Sequence, residues 1–167
     1  MTVIKLCLLC LSVMPLIPGQ SRARGWRGIV PLHSTRVEVE RLIGKPNFGD
    51  GLYDFEKERV FILYSGAPCT ESSWNVPRDT VIQISVAPKG KLRLSGLHLD
   101  LSKYERIRDP SAQVHTHYEN REEGIRYQVF EGGGGGAGTI LSAYYGPAAA
   151  DANLRCPAAG PGRPSEQ

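Results

Sequence analysis

The chain has 167 residues, with 20 Lys and Arg against 17 Asp and Glu; 41% of residues are hydrophobic and 22% charged. That balance excludes a disordered or fibrous chain, and the length is that of one domain able to fold without a metal or disulfide framework. A net charge of +3 is too small for the basic face of a dedicated nucleic-acid binder.

Residues 1–23, MTVIKLCLLCLSVMPLIPGQSRA, predict a cleaved secretory signal peptide. Lys5 supplies the basic start, Leu6 to Ile17 the apolar run, and Ser21 and Ala23 the small residues before the cut. The alternative is a membrane anchor. The run is shorter than the roughly 18–20 residues a spanning helix needs, and Pro15 and Pro18 interrupt it. Arg22, Arg24 and Arg27 follow closely, and positive charge there resists translocation. A lipoprotein reading at Cys10 would need a small residue where Leu9 stands. Cleavage removes Lys5 and Arg22 and no acid, so the mature chain, 24–157 plus a tail, is close to neutral. It places the protein in the periplasm or outside the cell, with no stable membrane span.

Cleavage also removes Cys7 and Cys10 and leaves Cys69 and Cys156. Two cysteines in an exported chain predict one disulfide; the alternative is two buried or free thiols.

The first element is a helix. Thr35 and Glu38 fit a capping box, Val39, Leu42 and Ile43 form one apolar stripe, and Gly44 with Pro46 ends it. Ile29 to Leu32 reads as a short extended piece. Strands are expected at Leu52–Glu56, Val60–Tyr64 (buried on both faces), Val81–Ala87, Val114–Glu119, Ile125–Glu131 and Thr139–Tyr145. A short second helix is expected over Ser102–Arg108, ended by Pro110. The tail 158–167 is Ala/Gly/Pro-rich and reads as disordered.

An internal repeat of 29–88 in 99–147 would organise these elements. At an offset of sixty-five residues, Glu40-Arg41-Leu42 falls on Glu105-Arg106-Ile107, Tyr53-Asp54 on Tyr118-Glu119, Glu58 on Glu123 and Val60 on Ile125. After a shorter loop, Thr80-Val81-Ile82 falls on Thr139-Ile140-Leu141. Either the chain is duplicated or these matches are chance. The expected fold class is α+β: short helices packed on antiparallel sheet, as two tandem helix-plus-three-strand units if the repeat holds.

Thr35, Glu38, Val39, Leu42, Gly44 and Pro46 resemble the helix-entry motif of the BamE/SmpA family of outer-membrane assembly lipoproteins. The resemblance implies the fold that this family shares with the β-lactamase inhibitor protein, two tandem helix-plus-sheet units. The chain departs from the family where Gly28 to Pro31 replaces an earlier helix with an extended segment. A longer set resembles a group of uncharacterised secreted bacterial proteins: Gly25 to Arg36, Trp74 to Thr80, and Leu154-Arg155-Cys156-Pro157. It implies export and no activity.

His115-x-His117-x-Glu119 is the sharpest chemical candidate. On a strand the three share a face, and two imidazoles with a carboxylate suit Zn²⁺ or Fe²⁺. The alternative is a polar outer face opposite Val114, Thr116 and Tyr118. Gly132 to Gly136 lacks the Lys-Ser/Thr of a phosphate loop and reads as a hairpin connection. There is no Gly-x-Ser-x-Gly elbow. Cys69 could act as a nucleophile only if unpaired. Glu122-Glu123 and Glu56 with Glu58 read as solvated turn charge. Trp74, in a loop-like stretch, is either an interface anchor or a ring folded over the sheet edge beside Cys69. These readings favour an exported, non-enzymatic binding or envelope-associated module with no cofactor and a protein or envelope component as partner. It would dock that partner on a sheet face or edge. The alternative is a small metal-binding protein or metal-dependent enzyme built on His115, His117 and Glu119.

Overall fold

The computed structural model describes residues 24–70, 72–108, 114–133 and 138–157. The expected signal peptide at 1–23, the tail at 158–167 and Gly134 to Gly136 lie outside the described residues.

Helix α1 spans Arg36–Ile43 and forms because its first turn is closed by its own side chains. The Glu38 carboxylate accepts the Thr35 N–H at 2.7 Å, while the Thr35 hydroxyl accepts the Glu38 N–H at 3.4 Å. Such a cap contributes about 1 kcal/mol. The Gly44 N–H ends the helix on the Glu40 carbonyl at 2.9 Å. Val39 carries the helix into the core and Ile43 packs partly against it, whereas Leu42 of the expected stripe stays exposed.

Seven strands follow: β1 Leu52–Asp54, β2 Glu58–Tyr64, β3 Val81–Pro88, β4 Glu105–Arg108, β5 His115–Asn120, β6 Ile125–Phe130 and β7 Thr139–Tyr145. They form one antiparallel sheet in the order β1-β2-β3-β7-β6-β5-β4. The protein is therefore α+β but dominated by sheet. Among the described residues no helix is long and apolar enough to cross a membrane.

Three expectations are corrected. Strand β2 is buried on one face only: Val60 and Ile62 point inward, while Phe61 and Leu63 are 47% and 45% exposed. Inward and outward residues thus differ in burial along this strand, and its continuous apolar run alternates after all. Ser102–Arg108 is not a helix. A 3-10 turn at Leu101–Lys103 leads into β4, whose backbone pairs with β5 from Glu105↔Glu119 to Arg108↔Thr116. Seven residues are too few to nucleate a helix when a sheet edge offers partners. Ile29 to Leu32 turns instead of extending. The Val30 carbonyl accepts the N–H groups of His33 and Ser34 at 3.1 and 2.9 Å, and Leu32 takes φ +61°.

Among the described residues the second unit therefore has no α-helix, and Glu40-Arg41-Leu42 and its counterpart Glu105-Arg106-Ile107 lie in different structures. The hairpins are another matter. Shift β2 by sixty-five residues and β3 by fifty-nine, and Ile62↔Ile84, Leu63↔Gln83 and Tyr64↔Val81 become Tyr127↔Ala143, Gln128↔Ser142 and Val129↔Ile140. All three are pairs of β6 with β7. Ile82 and Leu141 are left without partners at matching places, so the two hairpins share a bulge. Where the hairpins meet, Ile84↔Tyr145 and Val86↔Ala143 exchange under the same shift about Ser85↔Tyr144. The first strands do not follow. Ile125 pairs with Asn120, not with Tyr118, so β5 slides two residues from the expected alignment of Tyr53.

The main core covers the inner face of the sheet. Tyr53, Val60, Ile62, Ile84, Val86, Ile125, Tyr127 and Val129 meet Trp26, Ile29, Val39 and Leu94 from the covering segments. Each such side chain contributes about 1.5–3 kcal/mol when fully buried. The bulge in β3 separates two consecutive residues. Val81 joins this core, and Ile82 joins a second cluster with Leu32 and Val76, against which Trp74 and Leu154 pack.

Candidate functional site

The site is built by the segment Gly25 to Ile29. Trp26 and Ile29 exchange backbone hydrogen bonds of 3.0 and 2.9 Å around Arg27 and Gly28, whose φ values are +49° and +80°. Positive φ at both central residues defines the mirror-image two-residue turn that Gly tolerates without strain. The turn aims the Trp26 ring at the sheet. The Arg27 guanidinium lies 4.7 Å over that ring and 4.5 Å over Phe55, and pairs with Glu58 at 2.7 Å. Phe55 stacks on Tyr53 in turn, with ring centres 6.1 Å apart.

Between this turn and the chain leaving β3 lies a cleft of about 610 Å³. Its floor is Val86, Tyr127, Ile140, Ala143 and Tyr145, at the junction of the two hairpins. Trp26, Leu92 and Leu97 form the walls. Burial raises the hydroxyls of Tyr127 and Tyr145 above the ordinary tyrosine value, so both stay neutral and the interior carries no charge. Charge is confined to the mouth. There Glu58 is taken by Arg27, and Lys89 by Asp54 at 2.9 Å. Lys57, Lys91 and Glu56 line the mouth and have no ion-pair partner among the described residues. Such a cavity, apolar within and bearing a few polar groups at its edge, has the size and character of a small-molecule site.

The residues singled out from sequence are placed elsewhere. Alternation along β5 does put His115, His117 and Glu119 on one face. They are spaced along the strand instead of around a point, about 6.5 Å from each to the next. The Glu119 carboxylate is engaged by the Arg121 Nε at 3.3 Å, and His115 sits edge-on to Phe130. The Nδ1 of His117 is buried without a hydrogen-bond partner. Among the described residues no three His, Cys, Asp or Glu side chains come close enough together to hold a metal ion.

Cys69 and Cys156 are joined in a disulfide, with Cα atoms 5.6 Å apart across a sequence separation of 87. Closing a loop of that length stabilises by about 4–5 kcal/mol in the chain-entropy picture. Cys69 is thus no nucleophile. Trp74 folds over the second cluster beside this bridge, half-buried, with the Arg155 guanidinium 4.6 Å above its ring.

Two polar clusters were not foreseen. Glu131 accepts hydrogen bonds from the Thr116 hydroxyl and the Tyr118 hydroxyl, both at 2.8 Å, and from Arg106. Burial alone would raise its carboxyl; the three donors outweigh burial and hold it below the ordinary glutamate value. The cluster fastens the edge strand β4 to the end of β6. Asp151, nearly fully buried, accepts from the Ala148 N–H at 2.8 Å and lies 2.8 Å from the Nε2 of His33. That pair ties the N-terminal segment to the C-terminal one. Each cluster joins residues distant in sequence, and no local spacing announces it. The cleft had one legible sign, the Arg-Gly pair between Trp26 and Ile29.

The other free edge of the sheet is occupied. The Leu52 carbonyl accepts from Asn47 and Phe48, its N–H donates to the Phe48 carbonyl, and the Asp54 N–H donates to the Asn47 side chain. Little of β1 remains for an added strand.

No family model, no curated protein and no solved structure matches this chain.

Proposed function

We propose that this chain is an exported, non-enzymatic binding module, and that its inner-face cleft takes a small amphiphile with an apolar body and an acidic head. The observation that carries this reading is the cleft of about 610 Å³, with an uncharged floor and two unpaired lysines, Lys57 and Lys91, at its mouth. An apolar body on Val86, Ala143 and Ile140 leaves water, and an acidic head at the mouth meets net positive charge. Such a ligand is the kind of component a cell envelope supplies. The disulfide supports an oxidising destination.

The matched registers and bulges of the β2–β3 and β6–β7 hairpins support descent from two tandem units, the second without an α-helix among its described residues. The likeness of Thr35 to Pro46 to the BamE/SmpA motif belongs to this proposal as a fold-level analogy.

A displacement titration tests the ligand. Anilinonaphthalene sulfonate bound to the full chain should be displaced at one site by a long-chain fatty acid. Reversing the mouth charge with Lys57→Glu and Lys91→Glu should weaken the acid roughly tenfold and leave the matching fatty alcohol unchanged. Equal binding of acid and alcohol, or no displacement by either, overturns the reading.

A further inference from the structure

A second cleft, of about 500 Å³, opens on the outer face of the sheet between the β5–β6 turn and the chain leaving β7. Its rim is locked by backbone. The Gly146 N–H donates to the Gly124 carbonyl at 2.7 Å, and the Ala149 N–H to the Arg121 carbonyl at 3.0 Å. Gly124 sits at φ +66°, and a Cβ there would lie 2.3 Å from the Gly146 oxygen, so the two segments touch only because this residue has no side chain.

Three arginines line the cleft: Arg121, Arg126 and Arg155. Arg121 is committed to Glu105 and Glu119, at 3.3 Å each. The other two are held by aromatic rings. The Arg126 guanidinium lies 4.9 Å above Tyr144, whose hydroxyl donates to Gln128 at 3.4 Å. The Arg155 guanidinium lies 4.6 Å above Trp74. Neither has a carboxylate partner among the described residues. A guanidinium stacked by its face keeps its N–H edge free, and that edge matches the paired oxygens of a carboxylate or phosphoryl group. Glu119, the carboxylate that lines this cleft, is engaged by Arg121.

Arg155 owes its place to the bridge beside it. Trp74 and Arg155 pair through their backbones, the Cys156 N–H donates to the Ser73 carbonyl at 3.0 Å, and the Cys69–Cys156 disulfide closes the arrangement. Gln83, from β3, completes the wall opposite.

We propose that this outer cleft is a receptor for a small polyanion, whose phosphoryl or carboxylate oxygens are held by Arg126 and Arg155. The disulfide is then a positioning device as well as a staple, since it fixes one of the two anion-binding arms. This site is independent of the inner cleft, lies on the opposite face of the sheet, and takes a fully water-soluble ligand.

Isothermal titration of the oxidised full chain with pyrophosphate and with citrate tests it. At least one should bind, with an affinity that falls as salt rises; which of them binds more tightly assigns the phosphoryl or the carboxylate chemistry. Arg126→Gln and Arg155→Gln should each weaken binding about tenfold or more, the loss expected for a charge-assisted hydrogen bond. Glu119→Gln should strengthen it, and Arg59→Gln, whose partner is Asp54 on β1, should leave it unchanged. Reducing the disulfide should weaken binding to the level of Arg155→Gln. Arg155 is exposed, so that variant stands even where the reduced chain unfolds. The proposal is overturned if neither anion binds, or if binding survives both arginine substitutions in chains with the wild-type circular dichroism spectrum.

Discussion

Strands β2 and β3 pair as β6 and β7 do, bulge for bulge, yet their outer faces differ. Phe61 and Leu63 stand where Arg126 and Gln128 stand in the second hairpin. Inward, the counterparts are all apolar: Val60 and Ile125, Ile62 and Tyr127, Ile84 and Ala143. A slip of one residue would bury Arg126 and Gln128 or expose Val60 and Ile62, so the inner face holds the register in both halves. The outer face is under no such constraint. In the first half it presents Phe61 and Leu63 with Arg59, and opposite them Ser85 and Gln83, beside the edge strand. In the second it carries the arginine-lined cleft. The coverings diverge in the same way, with a capped helix over the first half and 3-10 turns and a fastened edge strand in the second.

Four experiments sharpen this comparison. The largest effect is expected from the bridge that crosses between the halves. Cys69→Ser with Cys156→Ser should cost about 2–5 kcal/mol in a urea melt, the usual loss for a native disulfide closing a long loop. An unchanged midpoint would mean that the bridge only positions Arg155.

Next comes the contrast of the two faces within β2. Ile62→Ala should destabilise by about 2–5 kcal/mol through the cavity it leaves, and Leu63→Ala by less than about 0.5 kcal/mol. Similar losses at both positions would show that something covers the outer face in solution.

Thr35→Ala removes the cap of the α-helix over the first half. Thermal unfolding should register about 1 kcal/mol, with Thr35→Ser retaining most of it.

Glu131→Gln probes the fastening of the second half's edge strand, and its effect depends on pH. The folded carboxyl titrates below its unfolded value, so its stabilisation is complete above the unfolded value. It is lost as pH falls through the folded one. Wild-type stability should therefore decline through the acid range below the ordinary glutamate value, and the variant should show a shallower decline there. Hydrogen exchange should locate the loss in β4 and β5; protection that does not change in those strands would separate Glu131 from the edge.

Local signals made much of this fold legible. The Thr35–Glu38 box and Gly44 state where α1 begins and ends, because caps satisfy backbone groups within a few residues. Alternating apolar residues announce β3 and β6, since along most of each strand one face enters the main core. Two cysteines left once Cys7 and Cys10 are assigned to an expected leader give a single possible intramolecular bridge. Other features have no local signature. Ser102–Arg108 has residues compatible with a helix, and only the backbone of β5 makes it a strand. Phe61 and Leu63 read as core from sequence, and their exposure is seen only in the fold. His115, His117 and Glu119 share a face by sequence, and strand geometry spreads them out. The meeting of Trp26 with Ala143, of Arg126 with Arg155 across one cleft, and of Glu131 with its three donors depends on the order of strands in the sheet. Sequence by itself determined which segments could pair and which face of most of them would be buried, because caps and periodicity act over a few residues. Tertiary structure alone decided which strands became neighbours and where the clefts opened, because pairing between distant segments is settled by the burial of the whole inner face at once.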